Sequence, residues 1–376
     1  MRILLQGRSA RSLAVNSGGD QVKLEQTARV LRARHGVDAR VSAEANPDLT
    51  GIDAVHLFGL VRPQETWVQA RNARCEGKPV FLSTVYCDVW EFEREVRTGP
   101  VGWIARHSNR DVIEALKAAG RGVKQREWGR GSLAMFLRGY SKMQREIVAM
   151  TSVFFPDSHS EWLRVAHDFD LSPDDPRATV VPNGFDTEAA RACDLADDPP
   201  PGLACFEGCV LCVARLEGRK NQLNLIEACR NTDLQLVLAG PPTANQSRYV
   251  QQVRELAKPL ANVHILGAVS PEDKSWLYRL AAVHVLPSWM ETTGLSSLEA
   301  AVAGCAIVVS PNGDTRDYFG EDAEYCDPAS PQSIRAAILR AGERGPCAAL
   351  DQRIRKEFTW ERSADLTFDA YRRVLA

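Results

Sequence analysis

Two glutamates and two cations in the second half of the chain have the types and spacing to handle a ligand that is both anionic and hydroxylated. Glu291 and Glu299 bracket seven residues within HVLPSWMETTGLSSLEAAVAGCAIVVS, His284 to Ser310. Arg215 and Lys220 stand five apart in ARLEGRKNQLNLIEA. The loop between the glutamates holds Gly294 and leads into a short helix. Such a junction points backbone N–H groups and a positive helix end at an anion such as phosphate. Two fixed cations at the end of a strand suit a diphosphate. A carboxylate beside an anion site costs Coulomb energy unless it binds neutral groups of the same ligand, such as hydroxyls. A molecule with phosphates and vicinal diols meets both conditions, and nucleotide sugars are of this kind. Each residue also has a plainer reading. Ser296-x-x-Glu299 reads as a capping box, Glu291 as a solvated loop charge, and Arg215 and Lys220 as solvated cations.

The elements that must position these residues form a strand, loop, helix, strand unit. The strands are His284–Leu286 and Ala306–Val309, the helix runs from about Ser296 to Ala303, and Gly304 caps it. Apolar runs recur at Arg2–Leu5, Ala39–Val41, Ala54–Phe58, Val80–Val85, SVFFPDS and ATVVPNGFD. They recur again at Val210–Ala214, Gln235–Ala239 and Val263–Leu266, with helical segments between. This alternation predicts parallel, doubly wound sheets. After the first strand, Gly18-Gly19 precedes a helix whose Leu24, Ala28 and Leu31 share a face. It is not the G-x-G-x-x-G fingerprint, which argues against a nicotinamide enzyme. Asp168-Phe169-Asp170 looks like a metal-binding Asp-x-Asp but falls in a helix-to-loop stretch, so it is read as coincidence.

At 376 residues the chain is long enough for two or three domains. Its 44% hydrophobic and 25% charged residues are ordinary for a globular protein, and a net charge of −2 gives no footprint for nucleic acid. The N-terminus reads as a buried first strand rather than a leader, and no apolar run is long enough to span a membrane. The 10 cysteines are scattered, several of them in apolar strands, which predicts buried free thiols and a cytoplasmic compartment. Between Lys117 and Glu146, eight Lys or Arg meet two Glu, with Trp128, Met135, Phe136, Leu137 and Tyr140 interleaved. That stretch is read either as a solvated helix face or as a patch for an anionic membrane or a lipid-diphosphate acceptor, at the inner face of the membrane.

The segment PSWMETTGLSSLEAAVAGCAIVVS resembles the donor-binding signature of retaining glycosyltransferases of family 4, of the GT-B fold and glycosyltransferase group 1. That pattern has two glutamates bracketing seven residues, Gly-Leu inside, then Glu-Ala, a Gly and a hydrophobic strand. VPNGFD, the Arg215/Lys220 pair, Gly18-Gly19 and VHLFG with His56 match family segments too. The resemblance implies an α/β fold of two Rossmann-like doubly wound domains facing a cleft. Residues 1–190 would form an acceptor-binding domain, 191–207 a linker, 208–358 a nucleotide-sugar-binding domain, and 359–376 a helix returning to the first domain. It implies transfer of a sugar, with retained anomeric configuration, from a GDP- or UDP-linked donor to a hydroxyl of a glycan or lipid-linked acceptor. Bacterial cell-surface polysaccharide synthesis is the implied setting, with the nucleotide diphosphate sugar as co-substrate, no other cofactor and no metal. Carried over residue by residue, Arg215, Lys220 and Glu291 serve catalysis. Gly18, Gly19, Arg215, Lys220, Glu291, Thr293, Gly294, Leu295 and Glu299 bind the donor, Glu291 reading the transferred sugar and Glu299 the ribose. Where many members carry a histidine this chain reads STVYCD, so Tyr86 and Asp88 join His56 as candidates for acceptor or sugar contacts. Two alternatives stand beside this reading: a non-catalytic nucleotide-sugar-binding partner, and a GT-B epimerase or phosphorylase.

Overall fold

The short apolar runs become parallel strands, most of them followed by a helix that returns the chain to the same edge. The computed structural model describes residues 1–8, 19–87, 111, 113–114, 130–185, 198–243 and 246–376. Gly18, Asp88 and the basic residues from Lys117 to Arg126 lie outside these. The chain divides into two units: Met1–Pro182 with Trp360–Ala376, and Asn183–Thr359.

The first unit holds a five-stranded sheet in the order β2-β1-β3-β4-β5. Its strands are β1 (Arg2–Gln6), β2 (Asp38–Ser42), β3 (Ala54–Phe58), β4 (Val80–Ser83) and β5 (Val153–Phe155). Every pairing is parallel. The core gathers Leu4, Val55, Leu57, Val80 and Leu82 with Trp67, Met143 and Trp162 from flanking helices. Leu24, Ala28 and Leu31 are buried on the helix Gly19–His35, as their spacing predicts. The helix Trp360–Leu375 packs on the helix Gly19–His35 and completes this unit. ATVVPNGFD is not a strand. It follows β5 through Phe154 N–H to Arg177 O at 2.8 Å and Thr179 N–H to Phe154 O at 2.9 Å, and forms a single bridge at Ala178. Pro156 and Pro182 lack the N–H donors that would extend the ladder.

The second unit holds a six-stranded sheet in the order β11-β10-β9-β6-β7-β8. These strands are β6 (Val210–Val213), β7 (Leu236–Ala239), β8 (Val263–Gly267), β9 (Val283–Leu286), β10 (Ala306–Val309) and β11 (Glu324–Tyr325). All pairings are again parallel. The strands are buried on both faces, which is why they read as continuous apolar runs. The unit begins at Asn183 rather than at residue 208, where the resemblance places the start of the second domain. Phe185 explains the shift: its N–H donates to Phe358 O at 2.9 Å, and its ring joins the second core.

Candidate active site

In the second unit, β6 pairs with β7 on one side and β9 on the other. The chain runs outward from β6 through β7 to β8, and outward from β9 through β10 to β11. The loops after β6 and β9 therefore part at the carboxyl ends of the strands, where open α/β sheets hold ligands. Arg215 and Lys220 lie on the first of these loops, and Glu291, Thr293 and Gly294 on the second.

Several bonds stitch the two loops together. Asn221, in the left-handed conformation at φ 61°, donates through Nδ2 to Pro287 O at 3.1 Å and Pro328 O at 2.7 Å. The Trp289 N–H donates to Arg219 O at 2.9 Å. Glu291 is fixed from the other side, its N–H donating to Asn312 O at 3.1 Å and its carbonyl accepting from Asp314 N–H at 2.9 Å. Gly313 makes that contact possible, since a Cβ there would lie 2.0 Å from Glu291 O.

The Glu291 side chain is buried and ion-paired with Lys220 Nζ. Its Oε2 also accepts from Ser288 Oγ at 3.1 Å, and Arg219 Nη1 stands 3.6 Å from Oε1. Burial alone would push this carboxyl up, but Lys220 and Arg219 together outweigh it, and the group ends below its ordinary value. Glu217, also buried, is ion-paired with Arg215 at 3.3 Å and accepts from Arg219 at 3.3 Å. The two cations read from sequence thus belong to a cluster of five charges, with Glu217 and Arg219 as the added members. Nothing in the spacing marks those two. A charge beside Lys220 reads as solvated until the fold turns it inward.

The helix Leu295–Val302 starts one residue earlier than its sequence pattern suggests. Gly294, at φ 75°, is the N-cap, its carbonyl accepting from Ser297 N–H at 2.8 Å and no side chain capping the turn. The capping-box reading of Ser296 and Glu299 is therefore wrong: Glu299 Oε2 accepts from Lys274 Nζ at 2.9 Å and Tyr278 Oη at 2.9 Å. Gly304 follows the helix at φ 95°, in the terminating role expected of it. Thr293 Oγ1 accepts from Asn183 Nδ2 at 2.8 Å, and Leu295 is half-buried at the helix start. The Ser297 hydroxyl is fully buried in this first turn and has no hydrogen-bond partner among the described residues. Beneath the loops, His284 on β9 is fully buried with both ring nitrogens unpartnered among those residues, and burial, then nearby Lys220, pushes its pKa down to about 3. Cys209 and Cys212 are buried free thiols pushed up to about 12 by desolvation, which makes them inert.

The residues read in the first unit separate from one another. Gly19 opens its helix, with empty space where a Cβ would stand. His56 is buried, its Nδ1 2.6 Å from Tyr371 Oη and its Nε2 3.0 Å from Ser83 Oγ, so it serves the core rather than a ligand. Tyr86 is fully buried and donates from Oη to Asp168 Oδ2 at 2.6 Å, so it packs rather than reaching a sugar. Asp170 pairs with Arg145 at 2.8 Å. The neighbour of Tyr86 is half-buried. Val85 has φ 40°, a strained conformation for a β-branched residue. The buried Glu161 carboxylate sustains it by accepting from Thr84 Oγ1 at 2.5 Å and Tyr86 N–H at 2.6 Å. Val85 lines a small crevice of about 50 Å³ with Gly7, Arg8, Asp20, Gly59 and Glu65. This crevice lies where β1 and β3 lead outward in opposite directions, at the corresponding point of the first sheet.

Two parallel Rossmann-like sheets, the second with a cation–carboxylate cluster at its point of divergence, define a GT-B architecture. Residues 207–357 match the family model of glycosyl transferases group 1. That segment is thus similar to a group 1 glycosyl transferase domain, and the fold is of GT-B type. It is similar to the O-antigen chain mannosyltransferase B of Escherichia coli, 27% identical over 176 residues, 44% of this chain and 46% of that protein. It is also similar to the D-inositol 3-phosphate glycosyltransferase of Acidothermus cellulolyticus, 27% identical over 251 residues, 62% of this chain and 56% of that protein. The chain thus spans about half the length of these curated relatives. Among solved structures, Anabaena Alr3699/HepE in complex with UDP superposes with a TM-score of 0.69 over 99% of this chain and 100% of the other, at 13% identity, a likeness of fold.

Proposed function

We propose that the chain is a metal-independent, retaining glycosyltransferase that moves a sugar from a nucleoside diphosphate donor to a hydroxyl of a glycan or lipid-linked acceptor. The observation that carries this reading is the meeting of Lys220, Arg219 and Glu291 in front of the Gly294 helix start. Cations that neutralise a departing diphosphate supply the dominant catalytic term for such a reaction. Arg215, Lys220 and the first-turn N–H groups receive the leaving group, while Glu291 holds hydroxyls of the sugar. The bond from the anomeric carbon to the phosphate oxygen breaks, and the acceptor oxygen bonds to that carbon on the same face. The acceptor proton passes to the departing phosphate oxygen. UDP in the complexed neighbour and the polysaccharide-building names of the curated relatives support a nucleotide-sugar donor and a surface-glycan acceptor. Incubation with UDP-, GDP- and ADP-sugars, reading nucleoside diphosphate release with and without EDTA, tests this. Release that survives chelation is expected. Donor binding without turnover would leave a non-catalytic binding protein, and loss of activity on chelation would refute metal independence.

The reading includes a peripheral membrane surface. On the helix Arg130–Arg138, Leu133, Phe136 and Leu137 are exposed at i, i+3 and i+4, one face, 61%, 45% and 80% open. Exposed Lys142 follows on the next helix. An apolar stripe beside a cation suits an anionic bilayer. Among the described residues no helix is long and apolar enough to cross a membrane.

A further inference from the structure

Glu299 is held from one side only. Lys274 Nζ and Tyr278 Oη, one helical turn apart on Pro271–Leu280, both reach its Oε2, each at 2.9 Å. Its Oε1 accepts from no group among the described residues, and the side chain remains 24% exposed. The two donors are fixed in their turn. Tyr278 is buried, and its carbonyl accepts from Cys305 Sγ at 2.9 Å. Its ring meets His284 edge-on at 5.8 Å. Ser270 caps the helix that carries both, accepting from Asp273 N–H at 3.0 Å. Burial, and then the adjacent Glu299, hold the Tyr278 phenol well above its ordinary pKa, so it stays a donor. A carboxylate used only for packing would share its donors between both oxygens or turn toward the helix start, where free N–H groups lie one turn away. This one is locked through one oxygen, with the other left to accept.

We propose that Lys274 and Tyr278 are positioning residues that clamp Oε2 of Glu299 and thereby present Oε1 to the vicinal diol of the donor ribose. The proposal rests on the donor-site reading, with Glu299 in the ribose role that the family resemblance implies, and adds the residues that make the site selective for ribose. Lys274 sets the charge and direction of the carboxylate, and Tyr278 sets its rotation. Without them the carboxylate swings among rotamers, and a diol must order it on binding.

The test is affinity for UDP, GDP and ADP, each beside its 2′-deoxy counterpart, in the unmutated chain and in Lys274→Met, Lys274→Arg and Tyr278→Phe. A hydroxyl bonded to a charged group supports about tenfold or greater preference for the ribonucleotide in the unmutated chain. Lys274→Met and Tyr278→Phe should bring that preference down toward unity by weakening the ribonucleotide about tenfold, with the deoxynucleotide nearly unmoved. Lys274→Arg should keep most of it. In turnover the two disruptive variants should raise donor KM and leave kcat nearly unchanged. Equal weakening of both nucleotides, or an intact preference in both disruptive variants, would show two residues that only join helices, and overturns the proposal. Binding of no nucleoside diphosphate by the unmutated chain overturns the donor-site reading and the proposal with it.

Discussion

Glu291→Gln should bind free nucleoside diphosphate more tightly and turn over more slowly. In the unmutated chain Glu291 is ion-paired with Lys220, the cation assigned to the diphosphate, and lies 3.6 Å from Arg219. A diphosphate seated on Lys220 must share that cation with Glu291 and bear the repulsion of its charge. At about 7 Å and an effective dielectric of about 20–40, that repulsion is about 1–2 kcal/mol for each unit of ligand charge. Glutamine removes the charge and keeps the shape, so affinity should rise about 5- to 30-fold for each unit of ligand charge within that distance. The gain should be present from pH 5 to 8. Glu291 has its carboxyl below the ordinary 4.5, so it is charged throughout that range. The gain should fade only as pH falls through the lowered value. Turnover should drop about tenfold or more, because a charged acceptor for sugar hydroxyls has become a neutral one. Calorimetric titration and steady-state kinetics on the same preparation separate the two effects. Weaker diphosphate binding in a folded Glu291→Gln protein would refute the argument, since it would mean that Glu291 assists the leaving group rather than competing for its cation.

Lys220→Ala should lower turnover about a hundredfold, as should Arg215→Ala, each removing one charge partner of the departing diphosphate; near-normal kcat in both folded variants would end the assignment. His284→Leu should flatten the acid limb of stability. The histidine has a native pKa of about 3 against 6.5 unfolded, so between these values the unfolded chain binds the extra proton and stability falls as pH falls. That slope is about 1.4 kcal/mol per pH unit, and urea unfolding from pH 4 to 7 should show it in the parent and lose it in the variant. Replacing Leu133, Phe136 and Leu137 with serine should abolish sedimentation with anionic vesicles and leave activity on a soluble acceptor unchanged; vesicle binding equal to that of the parent would rule out the stripe as a membrane contact.

The sheets were legible because parallel strands buried on both faces leave runs such as AVHLF and VHVL that little else produces. β11 was not, since Glu324–Tyr325 is two residues long and only half-buried. The site was legible where its residues sit on the loops at a point of strand divergence, as Arg215, Lys220 and Glu291 do. At Glu299, read as the ribose contact, local sequence also offered a plainer alternative. Ser296-x-x-Glu299 has the letters of a capping box, but a glycine N-cap with its carbonyl turned into the helix leaves no place for one. Only the fold brings Lys274 and Tyr278, more than twenty residues upstream, within reach of the carboxylate.

The same limit explains the first unit. A histidine in an apolar strand and a tyrosine at a strand end look functional because polar groups are expensive to bury. His56 and Tyr86 meet that cost with partners from elsewhere in the sequence, Tyr371 and Asp168. The strain at Val85 has the opposite character. No pattern of residue types announces a valine at φ 40°, and its support comes from a buried glutamate on another element. Strain of this kind costs about 1–3 kcal/mol and persists where a surrounding structure enforces it. Here it places a half-buried valine at the edge of a crevice flanked by Arg8 and Asp20. Relief of that strain is a physical consequence that can be measured. Val85→Gly removes the Cβ penalty while keeping the clamp on Thr84 and Tyr86, so it should cost far less stability than the loss of a fully buried valine side chain within the sheet, such as Val55→Gly. A loss equal to that of Val55→Gly would show that the bend at residue 85 is not strained.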